Sequence, residues 1–193
     1  MKKMLLILAL SVFGFANAQK GTILVGGNVE YTSRTVEAVT GKTTMNAFGF
    51  SPKVGYQFHD NWTAGVEFAI GSSKQDAQMS EIKNNNFSTG AFVRYTMPLS
   101  ETFSVFADLG AGFRTSKGKA YDNNNLISEN KANGFYTDLT PALFINMKKG
   151  FGLNFSIGGL GYTSSSYDNI DIDERSFYFN FGKTVTIGIS KNF

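Results

Sequence analysis

The stretch Val185-Thr-Ile-Gly-Ile-Ser-Lys-Asn-Phe193 ends the chain, and apolar residues fall on alternate positions along it. Successive side chains of a β-strand point to opposite faces, so this pattern predicts a strand with one apolar face. That face would contain Val185, Ile187, Ile189 and the terminal Phe193. The same alternation recurs through the rest of the chain.

Eight segments follow this period of two, at about 22–32, 44–58, 62–70, 87–97, 103–113, 135–145, 151–157 and 177–193. Tight turns are predicted at 59–61, 98–101 and 147–150, and long polar loops at 33–43, 72–86, 115–133 and 163–175. Short turns at one end and long loops at the other are typical of a transmembrane β-barrel. We therefore predict an all-β chain that forms an eight-stranded antiparallel up-and-down transmembrane β-barrel.

The opposite face of the predicted strands is rich in Gly and in small or weakly polar residues, with a few charges. The inside of an eight-stranded barrel is just wide enough for side chains to fill, which small residues suit. A soluble barrel would instead have a solvated outer face dense in Lys and Glu. A soluble lipocalin-like binding barrel stays an alternative.

The chain begins with an export signal. Lys2 and Lys3 form a positive region, residues 4–15 are apolar, and Ala16-Asn17-Ala18 has the small-x-small form of a signal-peptidase site. The apolar run is shorter than the ~20 residues of a transmembrane helix. We expect cleavage after Ala18, so that residues 1–18 are the signal peptide and 19–193 the barrel domain.

Charge and cysteine content exclude several classes of protein. Of 18 Lys and Arg, loss of Lys2 and Lys3 leaves 16 against 15 Asp and Glu, so the exported chain is nearly neutral. It has no basic footprint for nucleic acid. The chain has no Cys, which excludes disulfides, thiol nucleophiles, Cys-ligated metals and a lipoprotein anchor.

With its signal, its eight alternating segments, its Gly-rich second face and its terminal Ile187-Gly-Ile189-Ser-Lys-Asn-Phe193, the chain resembles the small OmpA/OmpX-like outer-membrane barrels. The resemblance implies the outer membrane of a Gram-negative bacterium, contact with membrane lipid and lipopolysaccharide, and a monomer. It also implies that the barrel-assembly machinery recognises Phe193.

Four residues depart from the expected pattern. Lys191 and Lys183 fall in the outward register, where a Lys is tolerated only near an interface. A bulge around Gly182 is the alternative for Lys183. Pro52 and Pro141 cannot donate to a strand ladder, so we predict bulges or broken pairing beside them.

Seven charged residues point into the predicted lumen: Glu30, Lys53, Glu67, Arg94, Asp108, Arg114 and Asp138. Buried charges must be paired, and we expect Arg94 to bridge Glu67 and Asp108. Such a network is interpreted as a structural plug, with a gate or narrow ion path as the alternative. Catalysis by paired carboxylates would need a substrate cleft, and none is evident.

No enzyme, cofactor or metal site is expected. His59 is the sole histidine and falls in a predicted turn, away from an outer-rim substrate. No cluster has the usual spacing of metal ligands, and the acidic stretch 168–174 does not match an EF-hand.

The predicted function is a structural or surface-interaction (adhesion-type) barrel that contacts an extracellular partner through its loops. The alternative is a small-solute channel.

Overall fold

The computed structural model describes residues 21–39, 41–77, 79–168 and 171–193. Within them, eight antiparallel strands close into a barrel in sequence order. The strands are β1 (Ile23–Ala38), β2 (Gly41–His59), β3 (Trp62–Ala77), β4 (Ser80–Pro98), β5 (Phe103–Asp122), β6 (Asn125–Lys148), β7 (Phe151–Tyr167) and β8 (Asp173–Asn192). The predicted eight-stranded up-and-down barrel is confirmed. The predicted signal segment and its cleavage site after Ala18 lie outside the described residues.

No helix in the described residues is long and apolar enough to cross a membrane.

Two ends of the barrel differ. The short-turn end holds the turns 60–61, 99–102 and 149–150, together with the start of β1 and the end of β8. The opposite, outer end holds the hairpins that join β1 to β2, β3 to β4, β5 to β6 and β7 to β8.

The predicted outward face is apolar and exposed. Phe50, Phe68, Tyr95 and Leu109, one on each of four strands, have exposed side chains, and so do most of their outward neighbours. A water-soluble chain rarely exposes apolar surface on this scale. The outer face is therefore suited to the hydrocarbon of a bilayer.

The outer loops differ from their prediction. Most of 33–43, 72–86, 115–133 and 163–175 is strand, so the long polar loops are instead extensions of the barrel wall. The turns at their tips are tight: Asn123 and Asn124 have φ of 48° and 66°, as a two-residue hairpin turn requires. The sequence did not predict these strands because residues there are polar on both faces, which removes the period of two.

The two prolines affect pairing as predicted. The β2–β3 ladder lacks pairs between Phe50–Ile70 and Lys53–Glu67, where Pro52 lies, and its register resumes unchanged. The β6–β7 register shifts between Leu139 and Ala142, where Pro141 lies. The first is a broken ladder and the second a bulge.

A bulge around Gly182, the alternative given for Lys183, is present as well. Ser156 pairs with Thr186 and Gly158 with Phe181, so one β7 residue faces four of β8. Gly182 has φ of 73°, a backbone conformation that favours glycine. The side chain of Lys183 lies outside the described part of the chain.

Glycines bring neighbouring strands together where aromatic rings fill the lumen. Gly55 pairs with Gly65, and the ring of Phe92 lies against both, with 1% of Phe92 exposed. Gly90 pairs with Gly112, and Tyr136 lies over Gly90. A side chain at these glycines would overlap the backbone or the ring, so the sequence needs glycine there.

Candidate functional site

The lumen contains a layer of paired charges. Arg94 on β4 donates to both oxygens of Asp108 on β5, with Nε–Oδ1 of 2.6 Å and Nη2–Oδ2 of 2.8 Å. Both residues are buried. A bidentate guanidinium–carboxylate pair of this kind is among the stronger side-chain interactions, and its geometry is specific. The two residues face each other directly in the β4–β5 ladder.

Lys53 connects this pair to a second carboxylate. Its Nζ lies 2.7 Å from Asp108 Oδ2 and 3.6 Å from Glu67 Oε2. The four side chains form a neutral set of two cations and two anions, which reduces the cost of burying them.

The expected bridge from Arg94 to Glu67 is not observed, and the strand register explains this. Arg94 faces Thr63 on β3, whereas Glu67 lies farther along that strand and faces Lys53 on β2. Lys53 therefore takes the bridging position that was predicted for Arg94.

Asp138 adds a third carboxylate, which lies close to Glu67 on the outer side of this layer. Tyr136 donates to Glu67 Oε1 at 2.8 Å, and Thr140 donates to Asp138 Oδ2 at 3.2 Å. Asp138 Oδ1 is buried and has no hydrogen-bond partner among the described residues. A Cβ added at Gly110 would lie 2.5 Å from Glu67 Oε1 and 2.7 Å from Asp138 Oδ1, so the two carboxylates converge there.

Aromatic rings close the lumen beside the charged layer. The guanidinium of Arg94 stacks 3.7 Å from the ring centroid of Phe106, and Lys53 Nζ lies 4.9 Å from that of Phe92. Cation–π contacts of this kind stabilise cations that have lost water. The space left among Arg94, Asp108 and Phe106 is a cavity of about 50 Å³.

The outer half of the lumen is more open. A cavity of about 560 Å³ lies above the charged layer, with Lys53, Glu67 and Asp108 in its lining. Glu30 and Arg114 also line it, and neither forms an ion pair with another described residue. The seven predicted lumen charges thus divide into a linked cluster and two separate charges on the cavity wall.

The outer strand extensions contain their own ion pairs. Lys74 Nζ lies 2.7 Å from Glu81 and Lys83 Nζ lies 2.5 Å from it. Hydrogen bonds from Lys74 and then Lys83 lower the pKa of Glu81 to about 2. A hydrogen bond from Lys117 likewise lowers the pKa of Glu129. These contacts link adjacent strands beyond the apolar belt.

Apolar side chains are exposed at the tips of the outer hairpins: Val39, Met79, Leu126, Ile127 and Ile172. The tip of every outer hairpin has at least one of them. Leu126 and Ile127 are adjacent apolar residues within the predicted loop 115–133, where they could contact a partner. The others are isolated apolar residues between polar ones, and no periodic pattern distinguishes them.

His59 lies in the short-turn end as predicted, where its Nδ1 accepts the backbone N–H of Asn61 at 3.4 Å. Among the described residues, no group of three or more His, Cys, Asp or Glu side chains is arranged to hold a metal ion.

Phe193 is placed differently from its prediction. The sequence assigned it to the outward apolar face, but its side chain is buried, with Lys191 Nζ 4.4 Å from the ring centroid. β8 ends at Asn192, but the backbone of Phe193 continues its register and exchanges hydrogen bonds with Ile23 at 2.9 and 3.0 Å. These bonds join the first and last strands at the short-turn end of the barrel.

Sequence reasoning missed Tyr136, Phe92 and Phe106 as lumen residues. All three are aromatic residues on the inward face, where the sequence predicted mainly small or weakly polar residues. The glycines opposite Phe92 are the signal that could have revealed it, since a large ring in a narrow barrel needs small residues around it.

The family described as "Outer membrane protein beta-barrel domain" matches residues 4–184. Comparison with curated proteins gave no match.

Solved structures similar to this chain include three bacterial proteins. The translocator domain of the autotransporter NalP from Neisseria meningitidis is 15% identical, with a TM-score of 0.46, over 91% of this chain and 64% of that one. Ail, the attachment invasion locus protein of Yersinia pestis, is 18% identical, with a TM-score of 0.44, over 91% and 100%. OprG from Pseudomonas aeruginosa is 13% identical, with a TM-score of 0.48, over 91% and 97%. The chain thus spans just under two thirds of the NalP domain.

Proposed function

The chain belongs to the outer membrane protein beta-barrel domain family of Gram-negative bacteria, and we propose that its barrel is a closed scaffold that holds four hairpins out for contact with an external surface. The proposal includes removal of the signal peptide after Ala18, assembly through recognition of Phe193, and a monomer in contact with lipid and lipopolysaccharide. It assigns no catalysis, because His59 lies at the end opposite the outer rim.

The exposed apolar residues at the hairpin tips are the observation that supports this function. Val39, Met79 and Ile172 lie in the turns beyond the polar strand extensions, and Ile127 lies near the start of β6, all outside the apolar belt that lipid covers. Apolar residues that together form a patch with a polar rim mark a protein contact surface, and these four lie at the same end of the barrel. The partner that fits is a protein surface with apolar patches.

The strand extensions make these tips suitable for binding. Ladder pairing continues to Ala38–Gly41 in the first hairpin and to Ala77–Ser80 in the second. Strands held by pairing and ion pairs lose less conformational freedom on binding than free loops do.

The test uses one variant in which the four apolar tip residues become serine: Val39→Ser, Met79→Ser, Ile127→Ser and Ile172→Ser. Cells that display the protein are measured for adhesion to a surface coated with mixed extracellular-matrix proteins. We expect adhesion to fall to that of cells without the barrel. The control variant Thr35→Ser with Asn130→Ser leaves the tips in place and should adhere normally. Equal adhesion of tip variant and wild type, at equal surface display, would reject the proposal.

A small-solute channel is the second candidate, favoured by the 560 Å³ cavity in the outer half of the lumen. If Arg94 is a gate, Arg94→Ala should raise the conductance of a planar bilayer. Absence of conductance in both forms would reject the channel. A soluble lipocalin-like barrel does not fit a member of this family; retention in carbonate-washed membranes tests that point.

A further inference from the structure

The wall of the barrel is incompletely paired where its first and last strands meet. β1 and β8 pair from Leu24–Asn192 to Gly27–Ile189, near the short-turn end. Above these pairs, no ladder pair joins the two strands among the described residues. The other seven ladders continue into the outer strand extensions.

Exposure of the side chains shows the same opening. Residues 29–38 of β1 are exposed on both faces, and so are residues 173–179 of β8. On β8, Phe177, Phe179 and Phe181 are exposed outward, and Tyr178 is exposed although it points inward. We call the unpaired part of this junction, between 28–38 and 173–188, the seam.

The seam adjoins the lumen cavity. Asn28 and Glu30 of β1 and Tyr178 and Thr186 of β8 all line the 560 Å³ cavity. Unpaired backbone groups are not tolerated against lipid, but they are tolerated where they line a space filled with water. Water in the cavity can therefore satisfy the two strand edges, and the seam connects that water with the membrane.

The charges of the cavity indicate what fits it. Glu30 lies on β1 and Arg114 on β5, on opposite sides of a ring of eight strands, and neither has an ion pair among the described residues. A ligand with one anionic and one cationic group would form an ion pair with Arg114 and another with Glu30. The exposed Phe177, Phe179 and Phe181 beside the seam would contact a hydrocarbon chain.

We propose that the seam is a lateral portal through which a single-chain zwitterionic amphiphile of the lysophospholipid class places its head group in the lumen cavity. Its phosphate contacts Arg114, its ammonium contacts Glu30, and its acyl chain leaves between β1 and β8 into the bilayer. This function is additional to surface contact and does not depend on the hairpin tips.

The test uses the purified barrel in nanodiscs and a lysophosphatidylethanolamine with a photoreactive diazirine on its chain. After illumination, labelled peptides are mapped by mass spectrometry. We expect labelling of β1 and β8 at the seam to exceed that of β3 and β4 by about tenfold, equivalent to about 1.4 kcal/mol of preference. Equal labelling around the apolar belt would overturn the portal.

A disulfide across the seam provides a matched comparison, because the chain has no native Cys. Continuing the β1–β8 register places Tyr31 opposite Val185, and both side chains point outward. Oxidised Tyr31→Cys/Val185→Cys should lose seam labelling about tenfold and regain it on reduction. In the control Tyr31→Cys/Phe48→Cys, β1 is joined to the strand it already pairs with, and labelling should persist.

Thr186→Trp, which fills the opening without oxidation, should reduce labelling as the disulfide does. Labelling unchanged in both seam variants would overturn the proposal.

Competition by unlabelled lipid tests the head group. Arg114→Ala and Glu30→Gln should each weaken competition by lysophosphatidylethanolamine about tenfold, since each removes one charged contact. The control Arg34→Ala, on the exposed outer part of β1, should leave competition by lysophosphatidylethanolamine unchanged. Equal competition by lysophosphatidylglycerol, which lacks the ammonium group, would contradict the zwitterionic head.

Discussion

At the scale of single residues, Asp108 is the centre of the lumen network. It accepts hydrogen bonds from Arg94 and Lys53, and it is 5% exposed. The two cations are buried or partly buried around it, so Asp108 is the anion on which their burial depends.

Asp108→Ala should therefore lower the free energy of unfolding by about 3–5 kcal/mol, because it leaves buried Arg94 without its carboxylate. Urea unfolding in lipid vesicles, followed by the electrophoretic mobility of the folded barrel, measures this. Glu101→Ala removes an exposed carboxylate and should change stability by less than about 0.5 kcal/mol. Equal effects of the two substitutions on the free energy of unfolding would show that the Arg94–Asp108 pair does not stabilise the fold.

Glu81 provides a pH test outside the apolar belt. Its pKa falls from 4.5 to about 2 through hydrogen bonds from Lys74 and Lys83. A lowered folded-state pKa stabilises the fold above pH 4.5, and the stabilisation is lost as the pH falls through about 2. NMR titration of the Glu81 carboxyl carbon should give a midpoint near 2, and Lys74→Ala should raise it. A wild-type midpoint near 4.5 would contradict the ion pairs.

Residue pairing in the lumen could be predicted only in part. All seven charges were assigned to the lumen from alternation alone, because the period of two fixes the face of each residue. Which residues meet depends on the register between strands, and alternation does not determine that register. The bridge from Lys53 rather than Arg94 to Glu67 follows from the observed pairing.

At the scale of the strand, β3 shows how glycine positions control the packing of the wall. Gly65 faces Gly55, and a Cβ there would overlap the backbone of Val54 and the ring of Phe92. Gly71 is on the same strand, but a Cβ there would have 3.7 Å to Asn86, which is ordinary contact.

Gly65→Val should destabilise the barrel by about 3 kcal/mol or more, because neither the backbone nor Phe92 can move aside at low cost. Gly71→Ala should stay within about 1 kcal/mol of wild type. The two variants are compared by electrophoresis in SDS without boiling, which measures the fraction of each protein that migrates as a folded barrel. Full folding of Gly65→Val would refute the close approach of β2 and β3.

The outer strand extensions can be tested by hydrogen exchange. Lys117 pairs with Lys131, and Asn130 with Gly118, far from the apolar belt of β5 and β6. If these segments are strands, their amides should exchange more slowly than those of Asp171 and Ile172, which lie in a connection. Uniformly fast exchange through 115–133 would instead support the flexible loops that the sequence predicted.

At the scale of the whole molecule, the architecture could be predicted and the shape of its outer half could not. Strand number, strand order and the outward face follow from alternating residues such as those of β2 and β5. The strand extensions could not be predicted, because alternation of apolar residues is absent where both faces of a strand meet water. The seam could not be predicted either, because alternation does not determine how far two neighbouring strands are paired. These unpredicted parts are the ones on which both proposed functions depend.

The barrel is closed across its lumen, and we propose that it acts through its outer hairpins. The most direct measurement is the conductance of a planar bilayer containing the purified, folded protein. We predict no discrete conductance steps for wild type, because Arg94, Asp108 and Lys53 fill the lumen beside the buried ring of Phe92. Small steps should occur in Arg94→Ala/Phe92→Ala. Reproducible steps in the wild-type protein would contradict the closed scaffold and favour the channel.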